Sequence, residues 1–474
     1  MDVRPVAGGE HSLELRIHVE VSDDARVLGT KQVAKLHDQP RVRLQECSLG
    51  LGERALGKQG VGCNAQRGEY GEYHLRPAPK AEYTSRPARR MSSKAKETSV
   101  YVHFPWCTRK CPYCDFATEP IRSEALPHDG YADALLRELD ARSEDLPGRE
   151  LSSVFFGGGT PSLWDPNALK RTLAGIRNAF EEVAENVEVT VECNPSSLDR
   201  EHASLLREAG ANRLSIGVQS LLDRHLQFLG RLHDRERALA TLEGATAEMP
   251  RVSADLMFGM PGQTCSELGD DIARIAEMGV RHVSAYALTI EEKTMFGSLH
   301  RAGKLRVAPE ERYAELFEHA ERCFTDLAWA HYEVSNYAAE GERSRHNLHY
   351  WRGGAYCGLG AAAVGCLDRA PGRAERWRNE ANPQRYMRRQ TLDCEVEDLG
   401  PEEIIGEAWM LGLRTAEGID LSATERRAGR SPRLGRERQI ELAIEHGNLV
   451  ENGQWLRVPV ERWLKLDGIV RDLF

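Results

Sequence analysis

Between residues 98 and 288 the sequence alternates short apolar runs with amphipathic segments, and this alternation constrains the fold more than any other feature. Six runs have the length and composition of buried strands, and the segments between them have helical spacing. The predicted strands are 99–104, 152–156, 187–192, 213–218, 252–258 and 282–288, and the predicted helices are 131–142, 167–183, 202–209, 235–247 and 265–278. We therefore predict an α/β fold that contains a partial (β/α)6 TIM-like barrel.

A loop with three cysteines directly follows the first predicted strand. Cys107, Cys111 and Cys114 are separated by three and then two residues. Three thiolates from one loop can each bind one iron of a [4Fe-4S] cluster, which leaves the fourth iron open to a small molecule. The alternative is a zinc-stabilised binding scaffold, but zinc usually requires a second cysteine pair or histidines. No such pair is nearby, and Phe116 occupies the second position after Cys114, so the spacing favours the cluster.

Polar residues and glycines occur at or near the ends of the following strands. The run 157–160, Gly-Gly-Gly-Thr, follows the second strand, Glu192 ends the third, Gln219 follows the fourth and Asp255 lies within the fifth. Because the carboxyl ends of barrel strands form one face, these residues are expected to share a site. Glycines let a ligand approach backbone amides, and Arg231 is suited to carboxylate binding. Taken one at a time, the glycine run is equally typical of a tight strand-to-helix turn, Glu192 and Arg231 of solvated surface charges, and Asp255 of a buried acid paired with a backbone amide.

A second cluster of distinctive residues lies at 346–351, His-Asn-Leu-His-Tyr-Trp, after a predicted helix at 311–324. Imidazole can bind iron, and flat aromatic rings can pack on a macrocycle. The alternative is an aromatic anchor beneath the glycine-rich stretch 353–365. From residue 400, two helical patterns precede a hairpin that turns at Asn452 and Gly453. This order predicts a mainly helical, winged-helix-like C-terminal domain.

These patterns divide the chain into four segments. Residues 1–95 have weak periodicity and many glycines, which predicts a disordered leader or a start-site extension. Residues 96–310 are predicted to form the core barrel. Residues 311–395 are predicted to form a covering region that carries the 346–351 cluster, and residues 396–474 the C-terminal domain.

Composition limits the classes of partner. The 474 residues carry a formal net charge of −10, whereas a general nucleic-acid-binding surface needs an excess of basic charge. No uninterrupted apolar stretch is long enough to cross a bilayer, so stable membrane insertion is not expected. Eleven cysteines in a chain of this length do not make a dense disulfide framework, and a reducing compartment suits the cysteine loop. We expect a soluble, cytoplasmic protein.

Together, the cysteine loop and the 157–160 glycine run resemble those of the radical S-adenosylmethionine superfamily, and of its oxygen-independent coproporphyrinogen III oxidase family. The resemblance extends from about residue 98 to the C-terminus. It implies that the amino and carboxylate groups of S-adenosylmethionine chelate the unique iron, and that an electron from the cluster then yields a 5′-deoxyadenosyl radical. It implies cofactor contacts at Tyr101, Tyr113, Gly159, Thr160, Glu192, Gln219, Arg231, Asp255 and Ala287.

Within that family, two features resemble the HemW subgroup, whose members are regarded as heme chaperones. True oxidases carry a further cysteine where this chain has Phe116, and the subgroup carries a motif similar to His346-Asn347-x-x-Tyr350-Trp351. The resemblance implies heme as a ligand, acceptor hemoproteins and an electron donor as partners. The alternative is radical oxidative decarboxylation of coproporphyrinogen III. Subgroup members commonly have a histidine where this chain has Val364, which leaves His346 or His349 as the axial ligand.

Overall fold

The computed structural model describes residues 95–392 and 394–474. The predicted leader, up to residue 94, lies outside the described residues. The predicted α/β fold with a partial barrel and a mainly helical C-terminal region is confirmed.

The strands are β1 (Lys96–Phe104), β2 (Trp106–Cys107), β3 (Glu119–Pro120), β4 (Arg149–Gly158), β5 (Glu182–Cys193), β6 (Arg213–Gln219), β7 (Val252–Phe258), β8 (His282–Ala287), β9 (Ala330–Glu333), β10 (Asn336–Ala338), β11 (Ala355–Leu359), β12 (Val364–Ala370), β13 (Arg373–Asn379), β14 (Cys394–Leu399), β15 (Ile419–Asp420), β16 (Val450–Asn452) and β17 (Trp455–Arg457). The helices are α1 (His128–Ala141), α2 (Pro166–Ala179), α3 (Arg200–Glu208), α4 (Asp223–Phe228), α5 (Arg235–Glu248), α6 (Cys265–Glu277), α7 (Met295–Arg301), α8 (Glu310–Asp326), α9 (Arg345–Trp351), α10 (Pro383–Arg388), α11 (Pro401–Gly412), α12 (Leu421–Ala428), α13 (Glu437–Glu445) and α14 (Leu466–Arg471).

Six parallel strands, β1 and β4 to β8, lie side by side in chain order and correspond to the six predicted strands. Alternate residues of a strand face opposite sides of the sheet. In β4, Val154 and Phe156 pack into the main apolar core, whereas Ser153 and Phe155 face the barrel interior. The helices therefore cover an apolar outer face, and the inner face is free to carry polar side chains.

The central sheet is wider than the six predicted strands. Strand β11 pairs in parallel with β1 and is followed by β12, β13 and β14, while β10 and β9 extend the sheet beyond β8. Residues 311–395, predicted as a covering region, thus supply five whole strands of the same sheet and the beginning of β14. The pairing of β11 with β1 joins segments about 250 residues apart, and no local pattern in the sequence indicates such a contact.

Helix α2 shows how local residues determine an element's ends. The Asp165 carboxylate accepts hydrogen bonds from the backbone N–H groups of Asn167 and Ala168, and Pro166 occupies the first helical position. The helix was predicted to reach residue 183, but it ends at Ala179. Phe180 is extended and buried, so the chain turns into the sheet earlier than the apolar spacing suggests.

The C-terminal region contains α11 to α14 and a small sheet in the order β15, β17, β16. The predicted hairpin at Asn452 and Gly453 is confirmed, and the positive φ of Gly453 fits the tight turn. Trp409 and Trp463 belong to an apolar cluster that also includes Tyr350 and Trp351 of α9, so this region packs against the barrel. In the described part of the chain, no helix combines the length and the apolarity needed to span a bilayer.

Candidate functional site

Cys107 ends β2, and Cys111 and Cys114 lie on the loop between β2 and β3, at the carboxyl end of β1. These two short strands pair in parallel, and the backbone N–H of Cys114 donates to the carbonyl of Cys111 at 3.1 Å. The guanidinium of Arg231 reaches the loop, with Nη1 lying 3.6 Å from the Cys111 sulfur and Nη2 2.8 Å from the carbonyl oxygen of Gly217. All three cysteines line one cavity of about 260 Å³, called here the cofactor cavity.

The protonation of these thiols matters because only thiolates bind metal strongly. Burial raises the pKa of the Cys114 thiol to about 12, and burial likewise raises the pKa of Cys107. Such thiols stay protonated near neutral pH unless a metal displaces the proton. Bound iron is therefore expected to determine their ionisation.

The glycine run is held against the cysteine loop by backbone hydrogen bonds. The N–H of Gly159 donates to the carbonyl of Phe104 at 2.7 Å, and the N–H of Thr160 donates to Trp106 at 2.8 Å. A Cβ added to Gly159 would lie 2.3 Å from the Trp106 oxygen, a distance that no side chain can tolerate. Glycine is therefore required where β4 passes the loop, and the run lines the cavity beside the thiols.

Two carboxyl groups face the same cavity from neighbouring parts of the barrel. The Glu192 carboxylate accepts a hydrogen bond from the N–H of Gly158 at 2.9 Å, and Asp255 accepts one from the Ser215 hydroxyl at 3.2 Å. Burial, and next the charge of Asp255, raises the pKa of Glu192 to about 8. Burial also raises the pKa of Asp255. A pair of half-buried carboxyls with raised pKa values favours a cationic ligand, because a cation lowers the cost of ionising them.

Gln219 ends β6 in a strained conformation. Its φ of 67° lies in the left-handed region, which non-glycine residues seldom adopt, and the pairing of β6 with β7 is irregular just before it. Such strain occurs often at ligand sites. The side-chain amide lies within 2.9 Å of the position that a Cβ on Gly217 would take, so Gly217 leaves room for it.

The structure brings nearly all the predicted cofactor residues to this one cavity. Eight of the nine line it, namely Tyr113, Gly159, Thr160, Glu192, Gln219, Arg231, Asp255 and Ala287. Tyr101 is outside the lining and lies behind Phe155, with the ring centroids 6.2 Å apart. Sequence reasoning missed several lining residues, among them Phe155, Ser215, Met257, Ser284 and Tyr286. The signal was present, since Met257 lies two residues from Asp255 and Ser215 lies four from Gln219, which are multiples of the two-residue period of a strand.

The donor set fits the cofactors that the sequence predicts. Among residues 95–392 and 394–474, no three His, Cys, Asp or Glu side chains are grouped to hold a single metal ion. Three thiols that line one cavity suit a cluster, in which each iron takes one thiolate. Within the same part of the chain, the buried Arg231 Nε and Asn347 Oδ1 have no hydrogen-bond partner. Both residues line the cavity, so a polar ligand would satisfy them.

The 346–351 cluster forms helix α9, which lies inside the barrel. The His346 ring stacks on Phe155 with a centroid distance of 4.9 Å, and its Nδ1 is 2.8 Å from the Ser153 hydroxyl. Only 1% of His346, 2% of Tyr350 and 3% of Trp351 is exposed. Asn347 faces the cofactor cavity. The motif is therefore the floor of the cofactor cavity, and a large ligand cannot reach its three buried rings unless α9 moves.

Glu188 anchors this helix from the barrel wall. Its fully buried carboxylate accepts hydrogen bonds from the backbone N–H groups of His346, at 3.0 Å, and Arg345, at 3.2 Å. Burial opposes ionisation of Glu188, but Arg213 and Arg251 outweigh that effect and hold its pKa below the usual value. The Arg251 guanidinium is 2.6 Å from the Glu188 carboxylate. The anchor is therefore a paired, ionised carboxylate.

Comparison with known proteins agrees with this geometry. Residues 101–275 match the model of the radical SAM superfamily, and residues 399–461 match that of the HemN C-terminal domain. Coproporphyrinogen III oxidase (HemN) from Escherichia coli has a similar fold, with a TM-score of 0.66 over 81% of this chain and 91% of that one. At 19% identity, that similarity concerns the fold alone.

Curated relatives are closer in sequence. The heme chaperone HemW of Escherichia coli is 36% identical over 304 residues, which cover 64% of this chain and 79% of the relative. That of Haemophilus influenzae is 34% identical over 386 residues, 80% of this chain and 98% of the relative. In Danio rerio, the mitochondrial radical S-adenosyl methionine domain-containing protein 1 is 35% identical, over 70% of this chain and 76% of the relative. The chain belongs to the HemW group of the radical S-adenosylmethionine superfamily.

Proposed function

We propose that this protein is a heme chaperone that binds heme, a [4Fe-4S] cluster and S-adenosylmethionine, and transfers heme to acceptor hemoproteins. The observation that carries the proposal is Phe116. It lines the cofactor cavity beside the thiols, at the position where true oxidases have a further cysteine. A phenyl ring supplies no metal ligand there, and the names of the Escherichia coli and Haemophilus influenzae relatives support the chaperone over the oxidase.

We assign Cys107, Cys111 and Cys114 to three irons of the cluster. When bound, the cluster and S-adenosylmethionine supply one-electron reduction of a sulfonium. The protein's own residues would bind and orient the cofactor. Glu192 would accept hydrogen bonds from its amino group, Arg231 would lie near its carboxylate, and the backbone of the glycine run would let it approach the loop. The supporting observation is that all these groups line one cavity.

We propose that the chain works in the cytoplasm, with an electron donor for the cluster and hemoproteins as acceptors. Three functional segments follow from the same reasoning. Residues 96–310 would bind the cofactors, and residues 311–395 would carry the 346–351 motif. Residues 396–474 would form a C-terminal domain on the side where heme binds. The matches at 101–275 and 399–461 support this division.

The test is a pair of assays on one anaerobic, cluster-reconstituted sample. In the first, heme is titrated into the protein and its Soret absorption is followed. In the second, coproporphyrinogen III is incubated with the protein, S-adenosylmethionine and a reductant, and vinyl products are separated. Cys111→Ser, which removes one cluster ligand, is the matched control for cluster-dependent chemistry.

We expect stoichiometric heme binding and no vinyl product. Vinyl product that disappears in Cys111→Ser would instead establish the oxidase. Absence of heme-dependent Soret absorption in the wild-type protein would overturn the chaperone proposal. Metal analysis of the same sample separates the zinc alternative, because one zinc without iron or labile sulfide would exclude the cluster.

A further inference from the structure

Arg231 differs from the other cations of the cofactor cavity because its guanidinium contacts a thiol. Its Nη1 lies 3.6 Å from the sulfur of Cys111. The two cations of the cysteine loop itself donate to backbone carbonyls, Arg109 to that of Gly230 and Lys110 to two carbonyls further along the loop. Among the described residues that line this cavity, Arg231 is therefore the cation whose side chain contacts a proposed cluster ligand.

The fold holds this guanidinium in place. Nη2 of Arg231 donates to the carbonyl of Gly217 at 2.8 Å. The preceding residue, Gly230, has a positive φ of 68° and packs on the cysteine loop, where an added Cβ would lie 2.8 Å from Cδ of Pro112. Glycine is favoured at this position, because it accepts the positive φ and leaves room for the loop. The chain thereby brings Arg231 close to Cys111.

Part of the guanidinium remains available to a ligand. Arginine has five N–H donors in a planar fork, and the contacts with Cys111 and Gly217 account for two of them. Nε of Arg231 is buried and has no hydrogen-bond partner in the described part of the chain. A buried donor without a partner favours a ligand that accepts, and a carboxylate fits the fork. One guanidinium can thus contact Cys111 and the carboxylate of a cofactor together.

The charge of Arg231 bears on reduction of the cluster. Iron binding converts Cys111 to a thiolate, so its hydrogen bond from the guanidinium becomes charge-assisted. A cluster that gains an electron becomes more negative, and hydrogen bonds to its sulfurs help to set its reduction potential. A nearby cation therefore favours the reduced form. Pairing that cation with a carboxylate cancels part of its charge, so the same side chain affects both equilibria.

We propose that Arg231 couples cofactor binding to cluster reduction, because its contact with Cys111 favours the reduced cluster and pairing with the cofactor's carboxylate weakens that effect. One electron enters from the proposed electron donor, and no bond forms or breaks in this step. By linkage, reduction weakens binding of the carboxylate by the same factor by which the carboxylate disfavours reduction. The inference rests on the cluster and the cofactor of the proposed function and adds a regulation of that site.

The experiment measures the midpoint potential of the cluster in the full-length, anaerobically reconstituted protein. Dithionite and mediators set the potential, and electron paramagnetic resonance reports the reduced cluster. Each sample is measured with and without S-adenosylhomocysteine, which keeps the amino and carboxylate groups of S-adenosylmethionine but has no sulfonium to cleave.

Three variants separate the charge of Arg231 from its geometry. Arg231→Gln removes the charge and keeps an N–H donor, whereas Arg231→Lys keeps the charge and loses the planar fork. Arg224→Gln is the matched control. It removes a cation of α4 that pairs with Glu267 at 2.6 Å, and neither of these two residues lines the cofactor cavity.

Without ligand, Arg231→Gln should disfavour reduction at least tenfold, or about 59 mV for one electron, with Arg231→Lys between it and the wild type. Arg224→Gln should change the equilibrium less than twofold. Bound S-adenosylhomocysteine should lower the wild-type potential and reduce the difference between wild type and Arg231→Gln to less than threefold.

The outcomes separate this inference from the proposed function. If the wild-type protein takes up no cluster, the proposed function fails. If it takes up the cluster and its potential equals that of each Arg231 variant that also carries one, the function stands and the role of Arg231 is refuted. A wild-type potential that does not fall when S-adenosylhomocysteine binds would refute the coupling, and this result requires no variant.

Discussion

Replacing Glu192 by glutamine should make the ligand-free protein less sensitive to alkaline pH. The side chain is half-buried at the lining of the cofactor cavity, and its removal from solvent, followed by the charge of Asp255, raises its pKa from 4.5 to about 8. Between pH 4.5 and about pH 8, Glu192 releases its proton in the unfolded chain and retains it in the folded chain. The free energy of unfolding therefore falls as the pH rises. The loss is about 1.4 kcal/mol per pH unit, or about 5 kcal/mol in total, and it is absent below pH 4.5.

Between pH 6 and pH 8, the free energy of unfolding should therefore fall by about 2 kcal/mol more in the wild type than in Glu192→Gln, because the slope lessens as Glu192 begins to ionise near pH 8. Glutamine keeps an oxygen for the N–H of Gly158 and cannot ionise. Urea unfolding of cluster-free, reduced protein measures the difference, and Glu185→Gln, exposed on the same strand, is the control. If Glu192→Gln and the wild type lose equal stability over this interval, Glu192 ionises at its ordinary pKa and the electrostatic account of the cavity is wrong.

Three further changes test other parts of the cofactor cavity. Cys111→Ser should abolish cluster incorporation, measured as iron and labile sulfide, whereas Cys265→Ser should retain it, since Cys265 lies on α6 outside the cavity. Gly159→Ala should lower the free energy of unfolding in urea by about 3 kcal/mol, because the added Cβ would clash with the backbone of Trp106. Gly262→Ala, whose added Cβ meets open space, should lower it by only about 1 kcal/mol. Asn347→Ala should weaken S-adenosylmethionine binding by about tenfold, because the ligand would lose its hydrogen bond to the buried Oδ1 of Asn347. Equal affinity in calorimetry would show that Asn347 makes no such contact.

The barrel strands and the cofactor cavity could be predicted because their signals are local. Val252–Phe258 is apolar except for Ser253 and Asp255, as expected of a strand whose outer face is covered by helices, and Glu192 ends a similar run. Parallel strands in chain order bring their carboxyl ends together, so strand positions alone predicted that Gln219 and Asp255 would face one site. The lining of the cavity includes Gln219 and Asp255, together with six others of the nine residues that the family resemblance implies.

The position of helix α9 could not be predicted, because it depends on contacts distant in sequence. His346 is held by Ser153, 193 residues away, and its backbone by Glu188, 158 residues away. Neither a serine nor a glutamate within a strand indicates a buried helix as its partner. A second cavity, which Lys96 and Arg426 line, could not be predicted for the same reason, since these two residues come together only after the C-terminal domain has packed on the barrel.

Transfer of heme tests the central claim most directly. The cluster-reconstituted protein, loaded with one heme and freed of excess heme, is mixed anaerobically with a purified apo-hemoprotein whose holo form has a distinct Soret spectrum. The proposed function predicts that heme appears in the acceptor while the loaded protein returns to its heme-free spectrum. Heme that stays with this protein when a tighter-binding acceptor is in excess would contradict the account.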